Sequence, residues 1–120
     1  MKIFKIKSYA KINLALNVTG KKLKLHKIES IISFIELHDL IYLKQIEKKN
    51  HQISFSGKFS KNIYKKNTVT NLIQLLDQKK LLNNQKFEIT IVKNIPQEAG
   101  MGGGSMNAAS LINFFIKKKL

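Results

Sequence analysis

Gly100, Gly102, Gly103 and Gly104 are four of the six glycines in this 120-residue chain, and Ser105 follows them directly. A strand-like run, Phe87 to Lys93, and the only proline, Pro96, precede the cluster; a helix-like run, Ala108 to Lys119, follows it. Glycine lets backbone amides approach a ligand closely and reach positive φ without steric cost. A helix start adds unpaired N–H groups and the positive end of the helix dipole, and together these make an anion cradle. The segment therefore reads as a phosphate-binding loop, which implies a nucleotide. It is not a Walker A loop, since no lysine precedes Ser105 in the required place. A Rossmann fingerprint fits poorly too: Ser105 stands at the third glycine, and no acidic residue follows it up to Leu120. The Ser105 hydroxyl has two competing uses, capping the helix or meeting a phosphate or Mg²⁺.

A second group of polar residues lies near the start. From Lys11 to Val18 the residues alternate, with Ile12, Leu14, Leu16 and Val18 on one face and Lys11, Asn13, Ala15 and Asn17 on the other. That is the pattern of a half-buried strand, and it puts Lys11 and Asn13 together on the face away from the core.

Further elements must position these groups. Thr19 to Lys22 reads as a turn, and Ile28 to Leu37 is an apolar run open between strand and buried segment. Leu40 to Glu47 and Gln52 to Phe55 read as strands. Thr68 to Leu82 is expected to be helical, with Val69, Leu72, Ile73 and Leu76 on one face and Asn67 or Thr68 as its cap. Phe87, Ile89 and Ile91 alternate with Glu88 and Thr90 in another strand. The last helix collects Ala108, Leu111, Ile112 and Phe115 on one face, with Lys117, Lys118 and Lys119 near its negative end. Strands and helices mixed without regular alternation predict an α+β fold.

Composition limits the alternatives. The length suits one domain with a real core but hardly two. All 22 basic residues are lysines, giving a net charge of +15, yet they are spread along the chain without an aromatic-interleaved stripe. That distribution argues for a solvated lysine surface, whose field would still favour anionic substrates. Cysteine is absent, which excludes a disulfide framework and thiolate metal sites. Met1 to Lys7 is basic, but no apolar segment of a signal peptide follows it. No run approaches the roughly 18 apolar residues of a membrane span. A cytoplasmic location is the expectation.

Residues 96–109 resemble the phosphate loop of the GHMP kinases, which phosphorylate small molecules. Ser8-Tyr9-Ala10-Lys11-Ile12-Asn13-Leu14 is similar to the opening of one branch, P-A-K-[IL]-N-L, and Leu25-His26-Lys27-Ile28-Glu29-Ser30 to its G-Y-H-x-[LI]-x-[ST] segment. The pieces recur in order across most of the chain. Lys24-Leu25 replaces the Gly-Tyr, and Met106 stands where a second serine is common.

The resemblance implies an α+β N-terminal GHMP-kinase lobe, ribosomal protein S5 domain 2-like, with a left-handed βαβ unit. Residues 1–120 would be the ATP-binding lobe of a larger protein. ATP with Mg²⁺ would donate the γ-phosphate to the 2-hydroxyl of a cytidine-diphosphate-linked sugar alcohol in non-mevalonate isoprenoid synthesis. By the same resemblance Lys11 would be catalytic, and Asn13 and His26 would bind the substrate. Asn67, Lys93, Pro96, Gly100, Gly102, Gly103, Gly104, Ser105 and Asn107 would bind ATP. The family's catalytic aspartate sits in a Gly-Ala-Asp-like motif after the phosphate loop, and neither Asp39 nor Asp77 matches that motif. Partners are then ATP and the sugar alcohol, with no membrane and with nucleic acid disfavoured. Two rival readings stand beside it: a basic nucleic-acid-binding domain of S5-like fold, whose binding would fall steeply with salt, and a non-catalytic nucleotide-binding relic.

Overall fold

The computed structural model describes residues 2–10, 36–61, 63, 67–96 and 103–118. The predicted strand Lys11 to Val18, the turn after it, the Ile28 to Leu37 run up to residue 35, and Gly100 and Gly102 lie outside these residues. The described elements are β1 (Ile3–Tyr9), β2 (His38–Ile46), β3 (Gln52–Ser56), α1 (Thr68–Gln78), β4 (Lys86–Val92) and α2 (Gly103–Lys118). They form one four-stranded sheet in the order β1-β2-β4-β3. β2 pairs antiparallel with both β1 and β4, whereas β3 runs parallel to β4. Parallel neighbours need a crossover, and α1 supplies it between β3 and β4.

One face of the sheet is the core. Ile41 and Leu43 of β2 and Phe87, Ile89 and Ile91 of β4 alternate inward and are buried. Val69 and Ile73 of α1 and Leu111 and Phe115 of α2 cover them. Each such side chain contributes about 1.5–3 kcal/mol on leaving water. The aromatic end of this face gathers Phe4, Phe87, Phe114 and Phe115, with ring centroids 5.0–5.7 Å apart.

Three boundaries differ from the sequence reading, each for a local reason. β1 occupies what reads as a merely basic start: Phe4, Ile6 and Ser8 face inward while Lys5 and Lys7 stay exposed. α1 begins as expected, with Asn67 accepting from the amides of Val69 and Thr70 at 3.0 Å and Thr70 Oγ1 answering the Asn67 amide at 2.9 Å. It stops at Gln78 rather than Leu82. Lys80 turns to φ 56°, and the amides of Lys80 and Leu81 bond back to Asp77 and Leu76. That is a Schellman closure with lysine in the place usually held by glycine, and it swings Leu82 into the core. α2 begins at Gly103, five residues before the predicted Ala108, so Ser105 lies within the first turn instead of capping it.

The far end of the crossover is tied by a polar cluster. His51, just before β3, accepts the Phe87 amide at Nδ1 (3.0 Å), so its other nitrogen, Nε2, carries the proton and donates to Asp77 at 3.0–3.1 Å. Lys86 reaches the same carboxylate at 3.0 Å. Burial pushes the Asp77 carboxyl up, but the hydrogen bonds from His51 and Lys86 and the Lys86 charge outweigh it and hold the group below the usual carboxylate range.

Candidate nucleotide-binding site

The end of the sheet opposite the phenylalanines is polar and buried. Ser8 of β1 pairs in register with Asp39 of β2, and continuing the β2–β4 register past Leu40–Val92 brings Lys93 alongside. Ser8, Asp39, Lys93 and Asn107 are at most 3% exposed. Lys93 Nζ donates to Asp39 Oδ2 at 2.6 Å and to Asn107 Oδ1 at 2.7 Å. Asn107 Nδ2 donates to Ser8 Oγ at 2.9 Å and to Asp39 Oδ2 at 3.1 Å. The other Asp39 oxygen accepts the backbone amides of Asn94 and Ile95 at 2.6 and 2.9 Å. A charge pair buried this deeply is stable only with its remaining donors and acceptors matched, as here.

This network fixes where α2 begins. Its first turn holds Gly103, Gly104 and Ser105; Gly104 and Ser105 are exposed, and no acidic residue occupies that turn. The first amides of a helix lack intrahelical partners, and the dipole there favours an anion. The start of α1 comes close to the same point, since a Cβ added at Gly104 would stand 3.6 Å from Thr68 Oγ1. Beside it, a cavity of about 340 Å³ is lined by Ile53, Phe55, Ile63 and Asn67, with Ser54, Ser60 and Thr70 supplying polar groups. The exposed start of α2 thus adjoins a part-apolar cleft. The residues present suit a phosphate-bearing ligand with a flat apolar part.

The structure distributes the expected site residues unevenly. Gly103, Gly104 and Ser105 stand at the mouth of α2, and Asn67 at the cleft, with its side-chain oxygen capping α1. Lys93 and Asn107 are turned inward, into the network, and Pro96 is half-buried just after Ile95. Lys11, Asn13, His26, Gly100 and Gly102 fall outside the described residues. Asp39 and Ser8 are the two members of this end that the sequence reading passed over. The signal was available for Lys93: Phe87, Ile89, Ile91 and Lys93 share one parity, which points the lysine inward with the core. Asn107 likewise precedes Leu111 by one i+4 step and Phe115 by two, which puts it on their face of the helix.

Residues 67–118 match the GHMP kinases N terminal domain. A homoserine kinase from Cytophaga hutchinsonii superposes with a TM-score of 0.62 at 19% identity, over 98% of this chain and 36% of that one, which shows the fold alone. Within the family the similarity is to 4-diphosphocytidyl-2-C-methyl-D-erythritol kinases. The one from Pelagibacter ubique is 70% identical over 120 residues, 100% of this chain and 43% of the relative. Those from Caldicellulosiruptor bescii and Ehrlichia canis are 39% and 36% identical over 90% and 93% of this chain, and 37% and 39% of their own lengths. The chain therefore spans less than half the length of the curated relatives it matches. Among the described residues, no helix is long and apolar enough to cross a membrane.

Proposed function

We propose that residues 1–120 form the ATP-binding lobe of a kinase that phosphorylates the 2-hydroxyl of 4-diphosphocytidyl-2-C-methyl-D-erythritol, in the cytoplasm, for non-mevalonate isoprenoid synthesis. The observation that carries this is the 70% identity to the Pelagibacter kinase across all 120 residues. The geometry at α2 supports it. The phosphates of ATP would meet the amides of Gly103 to Ser105, and the base would enter the cleft beside Asn67. Mg²⁺ would neutralise phosphate charge, with the exposed Ser105 hydroxyl at hand. Lys11 would stand by the reacting hydroxyl, and Asn13 and His26 would hold the acceptor. The acceptor oxygen attacks the γ-phosphorus, the bond to the β–γ bridging oxygen breaks, and ADP leaves; the hydroxyl proton passes to the family's aspartate base. In such transfers the protein acts mainly by positioning and charge stabilisation.

Gly104→Ala separates this reading from a bare structural turn. Among the described residues the new methyl meets nothing closer than Thr68 Oγ1 at 3.6 Å, and alanine favours a helix, so the melting temperature should hold or rise. In this reading the methyl crowds the exposed start of α2, where the phosphates would bind. Calorimetric titration with ATP–Mg²⁺ should show saturable binding by the wild type and about tenfold weaker binding by the variant, roughly 1.4 kcal/mol. Equal affinity in the two proteins, or no binding by either, would overturn the reading.

A further inference from the structure

We infer that Asp39 is a positioning residue for nucleotide binding, an inference that rests on the function proposed above. Asp39 is fully buried and touches no surface, so it does not contact a ligand itself. What it touches are the two flanks of the glycine-rich segment. On the β4 side its Oδ1 accepts both the Asn94 and Ile95 amides, fixing the backbone where it leaves the strand. On the α2 side its Oδ2 accepts from Asn107 Nδ2, which lies one turn into the helix. Lys93 lies between the flanks, bonded to Asp39 and to Asn107 in turn. Ser8 completes the attachment by accepting from Asn107 and from Ser110, so that α2 is held to β1 as well. One carboxylate thus fixes the distance between the end of β4 and the first turn of α2. Amides that bind an anion do so in proportion to how well they are already aimed, since ordering them on binding subtracts from affinity.

Two double variants with the same charge test this. Both remove the buried ion pair; they differ in whether position 39 can still accept and donate hydrogen bonds. In Asp39→Asn/Lys93→Met, the amide oxygen can accept Asn94 and Ile95 while its nitrogen meets Asn107 Oδ1. In Asp39→Leu/Lys93→Met no such bridge exists. ATP–Mg²⁺ affinity, measured by calorimetry alongside melting temperature, should be about tenfold lower in the second than in the first. Asn107→Leu gives a further variant if the leucine double variant does not fold: it severs the α2 side alone, leaves Lys93 on Asp39, and should weaken binding by a similar factor. A distant core variant, Leu82→Ala, should lower the melting temperature and leave affinity unchanged. Equal affinities in the two double variants, a wild-type affinity in Asn107→Leu, or affinities that merely follow melting temperature would overturn the inference while leaving the proposed function standing. A wild type that does not bind ATP–Mg²⁺ would overturn both.

Discussion

Gly57 is the residue whose replacement the structure penalises most directly. It ends β3 at φ +95°, a conformation L side chains rarely adopt. A Cβ built there would stand 2.7 Å from the Lys93 carbonyl oxygen and 2.8 Å from the Lys93 nitrogen, both rigid backbone atoms. Gly57→Ala would therefore incur about 1–2 kcal/mol for the left-handed backbone. Relieving the overlap must also stretch the Lys93 amide bond to the Ser56 carbonyl, now 2.7 Å, or the Phe59 amide bond to the Lys93 carbonyl, now 3.3 Å. Losing one such bond costs about 1–3 kcal/mol if its groups stay dry. The two effects together predict about 2–5 kcal/mol of destabilisation. In urea, with a slope of about 2 kcal/mol per molar, the midpoint should drop by roughly 1–2.5 M. Lys58→Ala, one residue on and exposed, serves as the control and should shift stability by no more than about 0.5 kcal/mol. A Gly57→Ala midpoint equal to that of the control would refute the argument from steric overlap.

Acid should act through Asp77. Its folded-state pKa is depressed, so its stabilising contribution is present above the unfolded value, near 4, and is lost as pH falls through the lower folded value. Melting temperatures of the wild type should therefore decline more steeply below about pH 4 than those of Asp77→Asn, the two curves converging at the acid end; parallel curves would contradict it. Lys80→Gly should raise stability by about 0.5 kcal/mol, because the αL position at the end of α1 suits glycine, and the gain should appear as a higher urea midpoint. An unchanged or lower midpoint would mean the lysine is not strained there.

Alternation and capping were the parts of the fold most legible in the sequence. β2, β3 and β4 lie close to their predicted spans because their inward residues recur at every second position. Of the two caps expected, Asn67 and Thr68, Asn67 takes the role because its oxygen reaches the Val69 and Thr70 amides. β1 was hidden because Ile3 and Tyr9 share the outward face with Lys5 and Lys7, and Ser8 stands where an inward apolar residue would have completed the pattern. The end of α1 was misplaced because Leu82 continues the helical spacing, while its burial comes through a turn in which Lys80, Asn83 and Asn84 all take positive φ. At the site, glycine density located the mouth of α2, but hydrogen bonding between strands located its support. No local pattern marks Asp39. Its importance lies in facing Lys93 across 54 positions of sequence, a relation that register alone creates.

That separation also governs when the site can come into being. Ser8 meets Asn107 across 99 positions and Ser110 across 102, so the polar end of the core is assembled from segments far apart in sequence. Contacts this distant are slow to form, because the loop they close must first be ordered. The βαβ segment from β3 to β4 can dock locally, whereas Ser8, Asp39 and Lys93 keep their water until α2 arrives. During synthesis α2 is thus the element that seals Asp39 and Lys93 inside.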